Sequence, residues 1–179
     1  TAIVAKAAAA KPDSVFYGGV TSSGAGLFRK AMIQAGLNVA LYGGDGIQDG
    51  TGEGSYIAIA GDAAANSFSS VAAIHDIPAA ADFAAKYKAA YSEDPGAYSA
   101  SGYACAEVII EAIKVAAKAG AVTREAVRDA ATKAGVTYNT VLGGLGFDEN
   151  GDTTQKIISL YKVENGDWVF DSQIDYAQQ

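Results

Sequence analysis

Asp45 is the residue whose type and setting most favour ligand chemistry. It lies in a glycine-rich loop, GGDGIQDGTGEG, that spans residues 43–54 and follows a predicted strand. Gly44 and Gly46 flank it and keep the loop tight, and a carboxylate buried there would pair with a ligand ammonium. An ordinary Asp-Gly turn is the alternative that the local sequence leaves open. Aromatic residues available to wall such a site are Tyr17, Tyr42, Tyr98 and Tyr103.

Nucleophilic catalysis has little support in the sequence. His75 is the single histidine, so a Ser-His-Asp arrangement would need it as the base. The candidate nucleophiles are Ser22 and Ser23, and the candidate acids are Asp76 and Asp45. No Gly-x-Ser-x-Gly motif occurs, and we therefore interpret His75 as a surface or hinge histidine. The single cysteine, Cys105, lies in an alanine-rich helix without a neighbouring base and is predicted to be a small buried hydrophobic residue.

The glycine runs and acidic segments do not match cofactor or metal motifs. Residues 18–26 and 43–54 lack both the dinucleotide and the phosphate-loop spacing, and the second run is acidic. The segment from Asp148 resembles a calcium loop, but its sixth and twelfth positions are Thr153 and Ser159, which favours a polar turn. With one cysteine and one histidine, a thiolate zinc site is not expected either. No cofactor or metal is predicted.

Composition restricts the class of protein. The chain has 179 residues, of which 50% are hydrophobic and 18% charged, which is typical of a globular protein with a single domain or two smaller lobes. Its formal net charge of −7 disfavours a phosphate-neutralising surface, so no nucleic-acid partner is expected. Apolar stretches are interrupted before the roughly 20 residues of a membrane span. The N-terminal sequence TAIVAKAAAAKPDS predicts that a secretion signal is absent or removed.

The first 71 residues alternate helix and strand signals. We predict helices at 2–11, from a cap at 21–23 to 35, and at 55–60, with strands at 14–17, 39–42 and 68–71. In the second helix Leu27, Met32 and Ile33 are predicted to form the apolar face, with Arg29 on the polar side. This alternation with short glycine-containing loops predicts an α/β fold with a parallel sheet, which places ligands at the carboxyl ends of its strands.

Residues 72–179 show a different order of predicted elements. An extended connection is predicted at 72–78, followed by helices at 79–91, 97–119 and 123–134. Strand-like segments then occur at 140–147, 157–163 and 168–170. The last two are predicted to form a hairpin with an Asn-Gly turn at Asn165 and Gly166.

The order of several motifs resembles a known family. These motifs are SVFYGG, QAGL, YGGDG, IAGDAA, DPGAYSASGYACAEVIIEAI and GFDENGD. Together they resemble the C-terminal half of type I periplasmic solute-binding proteins of the branched-chain amino acid (Leu/Ile/Val-type) ABC transporter receptor family. The resemblance implies two Rossmann-like or flavodoxin-like lobes with parallel sheets, joined by a hinge and only partly present in this chain. It implies a second-lobe segment at 1–71, a hinge crossing at 72–78, a first-lobe segment at 79–152, and a return with a terminal hairpin at 153–179.

The resemblance also implies a site and a function. Asp45 falls on the acidic position that binds the α-ammonium of the ligand, and Tyr98 matches an aromatic contact from the first lobe. Val20 stands where the family often has an aromatic residue, so Thr21 or Ser22 is expected to hydrogen-bond the ligand. The implied function is non-catalytic capture of a branched-chain or other neutral amino acid and its delivery to a membrane permease. The implied location is periplasmic or extracellular, with a lipid anchor at the cell surface as one form.

The resemblance implies that part of such a receptor lies outside this sequence. The helices at 79–134 would lack the sheet that they cover, so we expect a missing N-terminal half, as another chain or segment, or two copies that exchange elements. Two other functions remain open at this point. One is a sensor or regulatory ligand-binding domain of the same fold, and the other is an enzyme on a flavodoxin-like sheet that uses Asp45 or His75.

Overall fold

The computed structural model describes residues 2–75, 77, 81–96 and 98–178. The chain divides into two compact units. The first comprises Thr1–Ala72 and Ile158–Ile174, and the second comprises Ala73–Ile157 and Asp175–Gln179. The chain therefore leaves the first unit after Ala72, returns to it through its C-terminal strands, and leaves it again at Asp175.

A mixed five-stranded sheet forms the first unit. Its strands are β1 (Ser14–Tyr17), β2 (Ala40–Gly43), β3 (Ser67–Val71), β6 (Ile157–Glu164) and β7 (Asp167–Asp175), and they lie in the order β1-β2-β3-β6-β7. The first three are parallel, and β6 joins β3 in the antiparallel direction. Its helices are α1 (Ala2–Ala10), α2 (Ala25–Gln34) and α3 (Tyr56–Ala60). The predicted α/β fold is confirmed, with an antiparallel hairpin added to the parallel strands.

Both crossover helices lie on the same face of this sheet. Each crossover adds its strand in the same direction, and right-handed crossovers then place α2 and α3 on one side. Tyr56 of α3 hydrogen-bonds the buried Ser67 of β3 through its hydroxyl at 2.7 Å. At Gly26 of α2 a Cβ would lie only 2.7 Å from Cγ2 of Ile59, so glycine permits close packing of the two helices. We call this side the covered face.

The predicted apolar side of α2 is confirmed for Met32, which is fully buried, and wrong for its other two large residues. Leu27 and Ile33 are exposed, whereas Arg29 is only 1% exposed. Nε and both Nη atoms of Arg29 donate to the carbonyls of Ala63, Val39 and Ala65 at 2.6–2.8 Å. The reason is that close helix packing favours the small residues of α2, while these carbonyls need a buried donor.

The C-terminal hairpin is confirmed. Strands β6 and β7 are neighbours in the sheet, and only Asn165 and Gly166 separate them. Both turn residues have positive φ, 52° and 79°, which is the backbone that a two-residue type I′ turn needs. The sequence signal is local here, because two turn residues close the hairpin.

The second unit contains three helices and a small hairpin. They are α4 (Phe83–Tyr91), α5 (Ser99–Lys118), α6 (Arg124–Ala131), β4 (Thr137–Thr140) and β5 (Gly143–Gly146). Val108 of α5 packs with Tyr138 and Leu145 of the hairpin in a buried cluster. The other buried residues of α5 are Ala100, Ala104, Ala112 and Ala116, a stripe with a spacing of four residues.

Three expectations for this unit need correction or restriction. The segment 140–147 is not one strand, because Gly143 at φ 92° lets the chain reverse after Thr140 and pair with itself. Cys105 is exposed rather than buried, because it lies beside the buried alanine stripe of α5 and not in it. Asp76, Pro78, Ala79, Ala80 and Ala97, which fall in the predicted connection and at two predicted helix starts, lie outside the described residues.

Candidate ligand-binding site

Two loops leave the same edge of the sheet and carry four of the five predicted site residues. The β1 loop (residues 18–23) follows Tyr17, and the β2 loop (residues 44–47) follows Gly43. Tyr17 and Gly43 are register partners in parallel strands, so the two loops start side by side at the carboxyl edge. Open α/β sheets bind their ligands at this edge.

The β2 loop holds Asp45 on a firm support. Asp45 begins a single 3-10 turn that ends at Ile47, whose side chain is fully buried beneath the loop. A Cβ at Gly43 would lie 2.6 Å from Cδ1 of Ile47, so glycine makes room for this anchor. From below, the Ser69 hydroxyl donates to the Gly44 carbonyl at 2.9 Å.

The Asp45 side chain is exposed in the structure, which corrects the expectation of a buried carboxylate. A turn of three residues can direct only some of its side chains inward, and here Ile47 takes the buried place. Asp45 is therefore exposed to solvent at the edge of the first unit. Desolvation of its carboxylate would require something to bind over it.

The β1 loop places its three predicted residues differently. Val20 and Ser22 are exposed, and Thr21 is buried. The Thr21 hydroxyl donates to the carbonyl of Gly46 in the neighbouring loop at 3.4 Å. Of the two hydroxyls predicted to contact a ligand, that of Ser22 is thus the more accessible, while that of Thr21 links the two loops.

Sequence reasoning did not identify the hydrogen bonds that hold the β1 loop. The Ser23 hydroxyl donates to the Val20 carbonyl at 2.8 Å and accepts the Val20 N–H at 3.1 Å. The Tyr17 hydroxyl donates to the Ser23 carbonyl at 3.1 Å. Tyr17 is a predicted wall residue, but its hydroxyl is engaged within the loop. The available signal was the serine at the third position after Val20, the spacing of a capping contact.

The other predicted aromatic residues lie elsewhere. Tyr42 sits within β2 and stacks on Phe68 with ring centroids 5.0 Å apart. Tyr103 lies on α5, edge-on to Phe83. Tyr98 immediately precedes α5 and is exposed. Because Tyr98 belongs to the second unit, its contact with a ligand stays a prediction.

Neither His75 nor the Asp148 turn belongs to a metal-binding cluster of three or more side chains within the described residues. His75 is exposed, in line with the surface interpretation. No group of three or more metal-binding side chains is clustered in the described portion of the chain. The Asp148 carboxylate accepts the backbone N–H groups of Asn150 and Asp152, at 2.9 and 3.0 Å, and these contacts lower its pKa. It thus serves as a turn residue before β6.

The helices were also compared with the requirements of a membrane span. Among those formed by the described residues, not one combines the length and the apolar character that crossing a bilayer requires.

Comparisons with known proteins show which family has this architecture. The profile described as "Periplasmic binding protein" matches residues 1–167. Leu/Ile/Val-binding protein homolog 1 from Brucella abortus is 31% identical over 180 residues, covering 100% of this chain and 45% of that protein. The leucine-, isoleucine-, valine-, threonine-, and alanine-binding protein from Pseudomonas aeruginosa is 30% identical over 162 residues, covering 90% and 41%.

A solved structure shows the same family relationship. The leucine binding protein LivK from Thermotoga maritima matches with a TM-score of 0.81 at 26% identity, over 99% of this chain and 49% of that chain. The present chain spans less than half the length of the curated relatives named above. The predicted family resemblance and the type I fold are confirmed. This chain belongs to the periplasmic binding protein family.

Proposed function

We propose that this chain belongs to an extracytoplasmic substrate-binding protein that captures an amino acid between two lobes and delivers it to an ABC transporter permease. The observation that carries the proposal is Asp45, an exposed carboxylate on a rigid loop at the carboxyl edge of parallel strands. The names of the relatives specify leucine, isoleucine and valine. The proposed ligand is accordingly a branched-chain or other neutral amino acid.

Each site residue has a distinct role in the proposal. Asp45 accepts hydrogen bonds from the ligand ammonium, and their strength rises when lobe closure excludes water. Ser22 offers a second polar contact, and Val20 offers an aliphatic surface. Thr21 holds the two loops together, and Tyr98 contributes an aromatic contact from the second unit. Closure uses hinge bending at residues 72–78 and 153–156.

The proposed role involves binding and release without a covalent step. The single carboxylate of Asp45 can pair with the single ammonium of a neutral amino acid. His75 is exposed and has no assigned role in the site. The His75→Ala variant should therefore bind its ligand as the parent does, whereas an enzyme that used His75 as a base would lose turnover.

Exposed apolar faces support a further element of the proposal, that residues outside this chain complete both lobes. On α5 large apolar side chains are exposed along one side, namely Tyr103, Ile109, Ile110 and Ile113. Contiguous apolar surface of this kind marks an interaction site. We propose that the missing N-terminal half covers it, as a preceding segment or as another chain.

The sheet of the first unit also has a face on which large apolar side chains are exposed. Phe16, Tyr42 and Phe68 are register partners across β1, β2 and β3, so their side chains form one row. Phe16 is 70% and Tyr42 43% exposed, and a groove of about 440 Å³ runs along the row. Parallel strands are normally buried on both faces. We call this side the open face, and we propose that the same missing half covers it.

Calorimetric titration of the full-length protein carrying this sequence tests the ligand site. A panel of L-amino acids is titrated into the parent, into Asp45→Asn and into Glu53→Gln, which changes an exposed carboxylate nearby. A charge-assisted contact of about 1.5–3 kcal/mol predicts a roughly 10- to 150-fold weaker Kd for Asp45→Asn only. Equal affinity of Asp45→Asn and the parent would contradict the ammonium role. So would a tenfold preference for the analogue without an amino group.

Light scattering after size exclusion tests the missing half. The chain alone is expected to self-associate, and co-expression with the remaining half of the protein should give a complex or a completed single chain. A well-folded monomer of the chain alone would contradict the proposed cover.

A further inference from the structure

Hydrogen bonds of the Tyr17 and Ser23 side chains hold the β1 loop together, and we call this set of contacts the brace. The Ser23 hydroxyl bonds both the carbonyl and the N–H of Val20, which closes the loop on itself. The Tyr17 hydroxyl donates to the Ser23 carbonyl and lies 3.2 Å from its hydroxyl oxygen. Tyr17 is in turn fixed by Phe28 of α2, with ring centroids 5.3 Å apart. The brace therefore extends from the strand and the helix into the loop.

Val20 carries this brace across to the β2 loop. A Cβ built on Gly46 would lie 2.4 Å from Cγ1 of Val20 and 3.0 Å from the carbonyl oxygen of Gly19. The two loops thus touch at a point where only glycine fits. The Thr21 hydroxyl bond to the Gly46 carbonyl joins them at the same place. Gly46 directly follows Asp45, so the position of the β1 loop limits where Asp45 can lie.

We infer that Ser23 and Tyr17 are positioning residues for Asp45, acting through the contact between Val20 and Gly46. They have no contact with the ligand in this inference. A loop held in its binding geometry before the ligand arrives loses less conformational entropy on binding, which raises affinity. The inference rests on the proposed ligand role of Asp45, and the experiment below separates the two.

A double-mutant cycle in the full-length protein tests the coupling. Ser23→Ala is titrated with leucine in the parent and in Asp45→Asn. With Asp45 present, loss of the brace should weaken the Kd by about three- to tenfold, since both hydrogen bonds between the Ser23 hydroxyl and Val20 are lost. With Asn at position 45 the same change should have little effect, because the anchor is already lost. Ser23→Thr keeps the hydroxyl and should restore most of the affinity.

Hydrogen exchange supplies a readout that does not depend on a ligand. In Ser23→Ala the amides of residues 44–48 should exchange faster than in the parent, although the substitution lies in the other loop. Gly46→Ala should have the same effect, because its Cβ forces the loops apart. Gly44→Ala is the matched control, since nothing lies within 4 Å of a Cβ there.

The outcomes are separable. Additive effects of Ser23→Ala and Asp45→Asn on the Kd, or unchanged exchange at residues 44–48, would overturn the positioning role. An Asp45→Asn variant that binds like the parent would overturn the proposed ligand role instead. In that case faster exchange at residues 44–48 in Ser23→Ala would still support the brace.

Discussion

The two faces of the first sheet contrast in a way that hydrophobicity alone would not predict. The covered face carries several buried serines, among them Ser67, Ser69 and Ser159. The open face carries Phe16 and Tyr42, which are largely exposed. The same face carries the fully buried Leu41 and Val71. Its serines can be buried beside them because their hydroxyls find partners, such as Tyr56 for Ser67 and the Gly44 carbonyl for Ser69.

The contrast shows which face of the lobe this chain completes. The covered face is satisfied by α2, α3 and their hydrogen bonds, so its stability is internal to the chain. The aromatic row of the open face gains nothing from exposure, and about 1.5–3 kcal/mol is available for each large apolar side chain that becomes buried. We therefore expect the aromatic row of the open face to depend on residues outside the chain.

The largest expected effect is at the edge of the covered face. Arg29→Met should lower the free energy of unfolding by about 3 kcal/mol, because three carbonyls lose a charged donor that is itself buried. Lys30→Met changes the exposed neighbour on the same helix and should stay within about 0.5 kcal/mol. Denaturant unfolding measures both. A small loss for Arg29→Met would mean that water replaces the guanidinium, and the covered face would be less self-sufficient than described.

The next effect separates the faces directly. Tyr42→Ser should cost about 2–3 kcal/mol in the full-length protein, where the open face is proposed to be covered, and about 1 kcal/mol in this chain alone, where mainly the stacking on Phe68 is lost. Denaturant unfolding of both proteins gives the comparison. Equal small losses in both would show that the open face stays exposed in the full-length protein.

A smaller effect tests the hydroxyl pairing of the covered face. Ser67→Ala should cost about 1–3 kcal/mol, because the buried Tyr56 hydroxyl loses its partner. The double variant Tyr56→Phe with Ser67→Ala should cost no more than either single change, since no polar group is then left unpaired. Ser70→Ala, on the same strand but the open side, is the control and should be close to neutral. Strictly additive losses would show that the hydroxyls do not act as a pair.

Local signals made most of the fold predictable. Strand β1 was predicted with its observed limits, and the Asn165–Gly166 turn was predicted from its two residues. These features depend on neighbours in sequence. The predicted alternation of helix and strand likewise gave the α/β class, because crossover geometry follows from element order.

The predictions that were wrong concern packing between residues that are distant in the sequence. Arg29 and Cys105 were assigned to the wrong environment because the buried side of a helix depends on what covers it. Asp45 was located in the right loop, but its exposure follows from Ile47 filling the space beneath. The brace of Tyr17 and Ser23 required the loop geometry itself, and no periodicity in the sequence reports it.

The smallest expected effect concerns a charge held by backbone groups at the surface, the counterpart of the buried Arg29. The N–H groups of Asn150 and Asp152 lower the pKa of Asp148, so its contribution to stability is present above the pKa of the unfolded chain. That contribution is lost as the pH falls through the lowered pKa of the folded state. Asp148→Asn should therefore be less stable than the parent at neutral pH, with a difference that disappears in acid. Glu149→Gln, which changes the exposed neighbouring residue, is the control and should stay within about 0.5 kcal/mol of the parent. Thermal unfolding between pH 7 and about pH 2 measures this, and a difference independent of pH would show that shape rather than charge holds the turn.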